Sequence, residues 1–200
     1  MLVPLSIFGE TPAMTGEIPE RKRDAARTRG RILAAAQKAF AEHGYAQAGI
    51  REIGALAGVN SAMVLRYFGS KAALFEAALV DAIPQYDGMD LRHETFGARL
   101  TEQFLDVVLD LRAQAMIALS ASDPEASAIS ARVMKEKAIA PLAEWLGPPN
   151  ARARAVRMLM LSTSFMLYTR QIPLMSTREA IDSDTAEWLS AALQDIIDGR

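Results

Sequence analysis

Cysteine is absent from the 200 residues, so neither a disulfide framework nor a thiolate metal site is available, in keeping with a reducing cytoplasm. Histidine occurs only as His43 and His93, and neither sits in a nucleophile, metal or phosphate motif, which leaves an enzyme reading without its usual groups. No stretch alternates apolar and polar residues in the manner of paired strands, so the expected fold class is all-α. The most apolar run, Met158 to Tyr168, falls short of the roughly twenty residues that a membrane-crossing helix needs. The opening MLVPLSIF is too short, and lacks the basic leading segment, for a secretory signal.

The formal net charge is only −2, but its distribution is uneven. Between Arg21 and Lys71 there are ten Lys or Arg against three Asp or Glu, leaving twelve basic against twenty-one acidic residues elsewhere. A basic segment joined to an acidic body is the pattern of a phosphate-binding part attached to one that polyanions repel. Three divisions are expected: a disordered tail over 1–20, with Met14 as an alternative start; a basic helical domain over 21–84; and a larger helical domain over 85–200. In the first helix Ile32, Leu33, Ala36, Ala39 and Phe40 form one stripe, closed by Gly44.

The stretch from Gly44 to Phe75 holds two short helical patterns meeting at a tight break. Ile50, Ile53 and Leu56 recur at helical spacing, with Gly54, Ala55 and Ala57 small enough for a close crossing. Gly58 suits a left-handed helix end, Val59 plugs the corner, and Asn60 is an N-cap. The second helix turns Val64 and Phe68 inward and offers Ser61, Ala62 and Met63 outward. This spacing predicts a helix-turn-helix over about 49–68. Ser70 then caps a helix that Pro84 stops.

The residues Ile53-Gly54, Ala57-Gly58-Val59-Asn60, Arg66-Tyr67-Phe68-Gly69-Ser70-Lys71 and Leu74-Phe75, preceded by Ile32-Leu33, Ala36, Phe40 and His43-Gly44-Tyr45, resemble the DNA-binding domain of TetR/AcrR transcriptional regulators. Gly49 stands where a Ser or Thr commonly caps, and Leu65 where a Tyr is common, so a phosphate-contacting hydroxyl is not carried over to Leu65. The resemblance implies a double-stranded, palindromic DNA operator as partner. Ser61, Ala62 and Met63 would lie near base edges, while Arg27, Arg29, Arg51, Asn60, Arg66, Tyr67 and Lys71 hold phosphates.

Beyond a loose connector around Gly88, one amphipathic helix is expected with Phe96, Leu100, Phe104, Val107, Val108 and Leu111 on its buried side, and another over Ala113 to Ala121. Asp123-Pro124 starts a helix running to Trp145-Leu146. The next spans about Asn150 to Arg170, with Arg152, Arg154 and Arg157 making its beginning polar. The last, about Thr185 to Asp198, carries an apolar stripe. In the resembled family the last two long helices pair with their copies, which implies a homodimer whose seam holds Met158, Leu161, Phe165, Trp188, Leu189, Leu193, Ile196 and Ile197. Ten methionines invite an adaptable ligand pocket at Phe96, Phe104, Met116, Met134, Trp145 and Met166, with Met158, Met160, Tyr168 and Met175 as further candidates, although plain core explains any one of them. The function expected is a repressor released from DNA by an apolar or aromatic small molecule, with no cofactor, metal or catalytic residue. The alternatives are an activator or architectural factor without effector, or a helical protein-interaction module.

Overall fold

The computed structural model describes residues 20–83, 92–106, 110–172 and 181–200. The tail before Glu20, the stop at Pro84, the connector at Gly88, Val107, Val108 and Met175 lie outside the described residues. Within them every regular element is helical: α1 Glu20–Gln47, α2 Ile50–Ala57, α3 Ser61–Phe68, α4 Lys71–Ala82, α5 Phe96–Leu105, α6 Arg112–Ser120, α7 Pro124–Met134, α8 Ala140–Leu146, α9 Ala151–Met166 and α10 Ser183–Asp198. The all-α expectation holds.

The helix starts follow from local chemistry. Asn60, Ser70, Asp123 and Asp182 each accept a hydrogen bond from the backbone N–H three residues on, at 2.8, 3.0, 3.0 and 2.7 Å. Gly44, at φ 73, breaks α1 as its position suggested.

Two expected helices are interrupted. The one predicted from Asp123 to Leu146 widens into a π turn at Lys135–Ile139, where the N–H of Ala140 reaches back to the Lys135 carbonyl. Pro141 explains the change, since it has no N–H and its ring crowds the carbonyl four residues earlier, and a widened turn relieves that clash. The helix predicted to reach Arg170 likewise ends its regular part at Met166 and continues as a π turn over Leu167–Gln171.

The buried residues form two clusters. One joins Ile32, Phe40, Ile53, Val64, Phe75 and Leu79 of the first four helices to Ala113 and Met116 of α6 and to Ala126, Ile129 and Val133 of α7. Phe40, Tyr45 and Phe75 meet there with ring centroids 5.1 to 6.0 Å apart. The other holds Phe96, Leu100 and Phe104 of α5, Leu146, Ala155, Met158, Phe165 and Met166, and the α10 stripe Leu189, Leu193 and Ile197. Helices α5 and α10 touch backbone to backbone at Gly97, where an added Cβ would lie 2.6 Å from the Ser190 carbonyl oxygen.

Arg154, expected at a polar helix start, is buried instead. Its Nε donates to the Ile196 carbonyl at 2.8 Å, its Nη1 to those of Gly147 and Pro149 at 3.0 and 3.1 Å, and its Nη2 to that of Ile197. These acceptors sit at and just beyond the C-termini of α8 and α10, where carbonyls have no partner within the helix. Arg170 does the same for α5, donating to the carbonyls of Phe104, Leu105 and Asp106 at 3.1 to 3.3 Å. Arg154→Met should lower the unfolding free energy by about 3 kcal/mol, because several buried acceptors lose a charged donor together. A urea midpoint shifted by less than about 1 kcal/mol equivalent would show that the carbonyls find other partners.

Candidate nucleic-acid interface and internal cavity

Helices α2 and α3 cross closely because Gly54 lacks a side chain: a Cβ there would lie 2.9 Å from the Val59 carbonyl oxygen. The turn closes with the Val59 N–H donating to the Gly54 carbonyl at 2.9 Å and with Gly58 at φ 66. Gly49 offers no side chain to cap α2, but the Glu52 carboxylate reaches back to its N–H at 3.4 Å. Val64 is fully buried, which fixes the face that α3 turns outward.

On that outward side Ala62, Leu65 and Arg66 are exposed, and Ser61, Met63 and Tyr67 half-buried. Arg51 is exposed, and so is Asn60, whose side-chain oxygen is engaged in capping α3. Arg27 is ion-paired with Asp24 at 2.7 Å, Arg29 lies over the Phe68 ring at 5.2 Å, and Arg66 lies 5.8 Å from the Tyr67 ring. Lys71 opens α4 with its ammonium donating to the Ala46 carbonyl at 3.2 Å and resting 4.8 Å above the Tyr45 ring.

Tyr45 links this end of the molecule to α7, since its hydroxyl donates to the Glu125 carboxylate at 2.5 Å. Burial, followed by that hydrogen bond, pushes its pKa well above the ordinary tyrosine value. A second tie joins α4 to α7, with Arg132 gripping Glu76 through two hydrogen bonds of 2.6 and 2.8 Å. That guanidinium holds the Glu76 carboxyl below the usual carboxylate range. Gln37 of α1 donates to Asp81 of α4 at 2.8 Å, completing the frame.

Further along lies a cavity of about 210 Å³ walled by α5, α6, α8, α9 and the π turn after α7, with Ile83 and Met134 also in its lining. Of the ligand candidates, Phe96, Phe104, Met134, Trp145, Met158 and Met166 line it, whereas Met160 and Tyr168 are exposed, because they fall on the outer face of α9 and the turn after it. Met116 does not line it either: it packs in the other cluster, because that side of α6 lies against α1 and α4. Gln103, Gln114, Lys137, Ser162 and Thr163 also line the cavity, and apolar periodicity gave no sign of them. The residues expected at a dimer seam divide in two. Met158, Phe165, Leu189, Leu193 and Ile197 are buried within their own chain, whereas Leu161 and Ile196 are half-buried and Trp188 is 56% exposed.

Residues 32–78 match the profile described as bacterial regulatory proteins of the tetR family, and residues 94–197, more than half of the chain, match the tetracyclin repressor-like C-terminal domain. The chain belongs to the TetR family. It is therefore a DNA-binding transcriptional regulator, in a family of regulators rather than enzymes. The HTH-type transcriptional repressor NicS of Pseudomonas putida is 44% identical over 59 residues, a stretch that is 30% of this chain and 28% of NicS. A TetR-family regulator from Rhodococcus sp. shares the fold with a TM-score of 0.64 at 17% identity, over 86% of this chain and 99% of that one. NalD of Pseudomonas aeruginosa, the secondary repressor of the MexAB-OprM multidrug efflux pump, gives 0.59 at 18%, over 88% and 96% of the two chains. Among the described residues of this TetR-family chain no helix is long and apolar enough to cross a membrane.

The raised Tyr45 pKa fixes the sign of a pH effect: its contribution is complete below the unfolded tyrosine value of about 10 and fades as pH rises above it. Tyr45→Phe should cost about 1 kcal/mol at neutral pH, and its stability should fall less steeply above about pH 10 than that of the parent. Parallel unfolding curves for the two proteins across that range would remove the hydrogen bond from the account.

Proposed function

We propose that this regulator is a dimeric repressor whose release from DNA is driven by a small molecule bound in the cavity. NicS and NalD, both named as repressors, favour that sign over activation. The observation that carries the effector reading is the position of the cavity. Its wall includes Ile83, next to the end of α4, and α4 is a rigid rod of about 18 Å whose other end is Lys71. A ligand that binds better when α4 is displaced shifts the population away from the DNA-bound arrangement. The π turn lining the cavity extends from α7, so the Tyr45–Glu125 and Glu76–Arg132 ties offer a second route.

In this reading residues 21–84 form the DNA-binding domain and 85–200 the ligand-binding and dimerisation domain. Each α3 enters a major groove with Ser61, Ala62 and Met63 towards the bases. Arg51, Asn60, Arg66, Tyr67 and Lys71 hold phosphates, and Arg27 and Arg29 do so once turned from Asp24 and Phe68. Footprinting on DNA flanking the gene supplies the operator, and a binder that raises the melting temperature must also release that DNA. Binders that leave operator affinity unchanged would sink the effector reading.

Phosphate holding and base reading separate by salt. Lys71→Ala should weaken binding to every sequence alike and lower the salt slope by about two per dimer. Met63→Gln should keep that slope and alter preference at one position in each half-site by roughly 1–3 kcal/mol. Binding of both variants to operator mutants and unrelated DNA across a salt series decides, and crossed outcomes would reverse the two roles.

The dimer reading rests on surface that the chain's own core leaves uncovered. Ala153, Arg157, Met160, Ser164 and Tyr168 form one exposed stripe along α9 and into the turn after it, with Trp188 on α10. Met160 is 65% exposed and Trp188 56%. Leu193 and Ile197 are taken up by the core, so charging them would test folding rather than assembly. Met160→Glu with Trp188→Glu should instead give a folded monomer, since charge on an apolar seam opposes pairing. Unchanged mass by light scattering, with helicity intact, would place the interface elsewhere.

A further inference from the structure

The cavity is not uniformly apolar, and its exceptions are informative. Gln103 of α5 and Gln114 of α6 line it, and the side-chain oxygen of each is buried with no hydrogen-bond partner among the described residues. Native folds seldom leave such acceptors unsatisfied, because each forfeits its bonds to water without replacement. Here two occur on neighbouring helices beside one cavity. The last torsion of a glutamine is soft, so a modest turn of either amide presents its oxygen to an occupant.

We propose that the occupant is a neutral, ring-sized molecule with an apolar body and an N–H or O–H donor, and that Gln103 and Gln114 accept from it. This rests on the effector reading above and narrows it to a chemical class. Phe96, Phe104, Trp145 and the methionines reject a wholly polar molecule, which would have to shed water against apolar walls. A pure hydrocarbon fits those walls but leaves both oxygens unpaired. Lys137, itself exposed, is the one charged residue among the described lining, and no carboxylate there would hold a cationic amine, so the donor belongs to a neutral group such as a phenol, an indole or an amide. Size agrees, because a dry cavity of roughly 150 Å³ admits benzene and about 210 Å³ leaves room for a substituted or fused ring.

The test uses near-isosteric pairs, indole against indene and phenol against toluene, titrated into the full chain by calorimetry with operator binding as a parallel readout. The donor-bearing member should bind at least about tenfold tighter to the parent protein. Gln103→Met with Gln114→Met keeps the length and apolar contact of both side chains but removes the acceptors, and should bring the two members to near-equal affinity. Each single variant should lose part of the ratio, which provides the reading if the double variant does not fold. A parent ratio near one, a ratio unmoved by the substitutions, or no binding by any probe would overturn the proposal. Hydrocarbons that bind equally well and release DNA would sustain the effector reading and refute this one. Donor-selective binding that leaves DNA affinity untouched would do the reverse.

Discussion

The guanidinium of Arg154 ties the carboxyl ends of α8 and α10 to the start of α9 by donating to four of their carbonyls. Helix ends concentrate partial negative charge, and a buried cation is tolerable there because the dipoles that surround it are fixed by the fold. Arg170 repeats the arrangement at the end of α5. Together they hold three helices at set distances without filling the space between them. Of the capped helices, α5 and α8 supply walls of the cavity, so the two guanidiniums fix those walls against α9 and its extension.

The same logic joins the cavity to the helix-turn-helix. The two hydrophobic clusters are not divided at the end of α4, because α6 and α7 contribute to the first while also bordering the second. Helix α7 is held at one end through Glu125 and Tyr45 and farther along through Arg132 and Glu76. Its continuation, the π turn, carries Lys137 and Ala138 to the cavity. A change of wall position therefore has directional contacts through which to reach the first helices, rather than only diffuse packing.

Much of this was legible in the sequence because it depends on neighbours along the chain. Caps at Asn60, Ser70, Asp123 and Asp182, the break at Gly44 and the corner at Gly58 are local events, and the helix-turn-helix rests on them. Methionine and aromatic content likewise pointed to six residues that line the cavity. What spacing could not give was the orientation of a side chain relative to distant elements. Arg154 looked like a solvated charge, since its carbonyl partners near the end of α10 lie more than forty residues away. Leu189, Leu193 and Ile197 form an apolar stripe whether the chain itself or a second copy covers it, and Gly97 of α5 brings the chain's own backbone against α10. Gln103 and Gln114 give no such signal, because polar residues on amphipathic helices usually face water. Pro141 marks the widened turn in the sequence, since a proline inside a helical pattern removes a backbone donor.

Lys71 carries a consequence for the speed and temperature dependence of association. Its nitrogen is held by Ala46 and its charge rests on Tyr45 before any DNA arrives. An unrestrained lysine gives up side-chain entropy on meeting a phosphate, about 2 kcal/mol if all its rotamer freedom is lost. For this lysine much of that loss occurs during folding. In the proposed phosphate contact it would then need little searching, and the strength of that contact should depend less on temperature than for a lysine without such restraints.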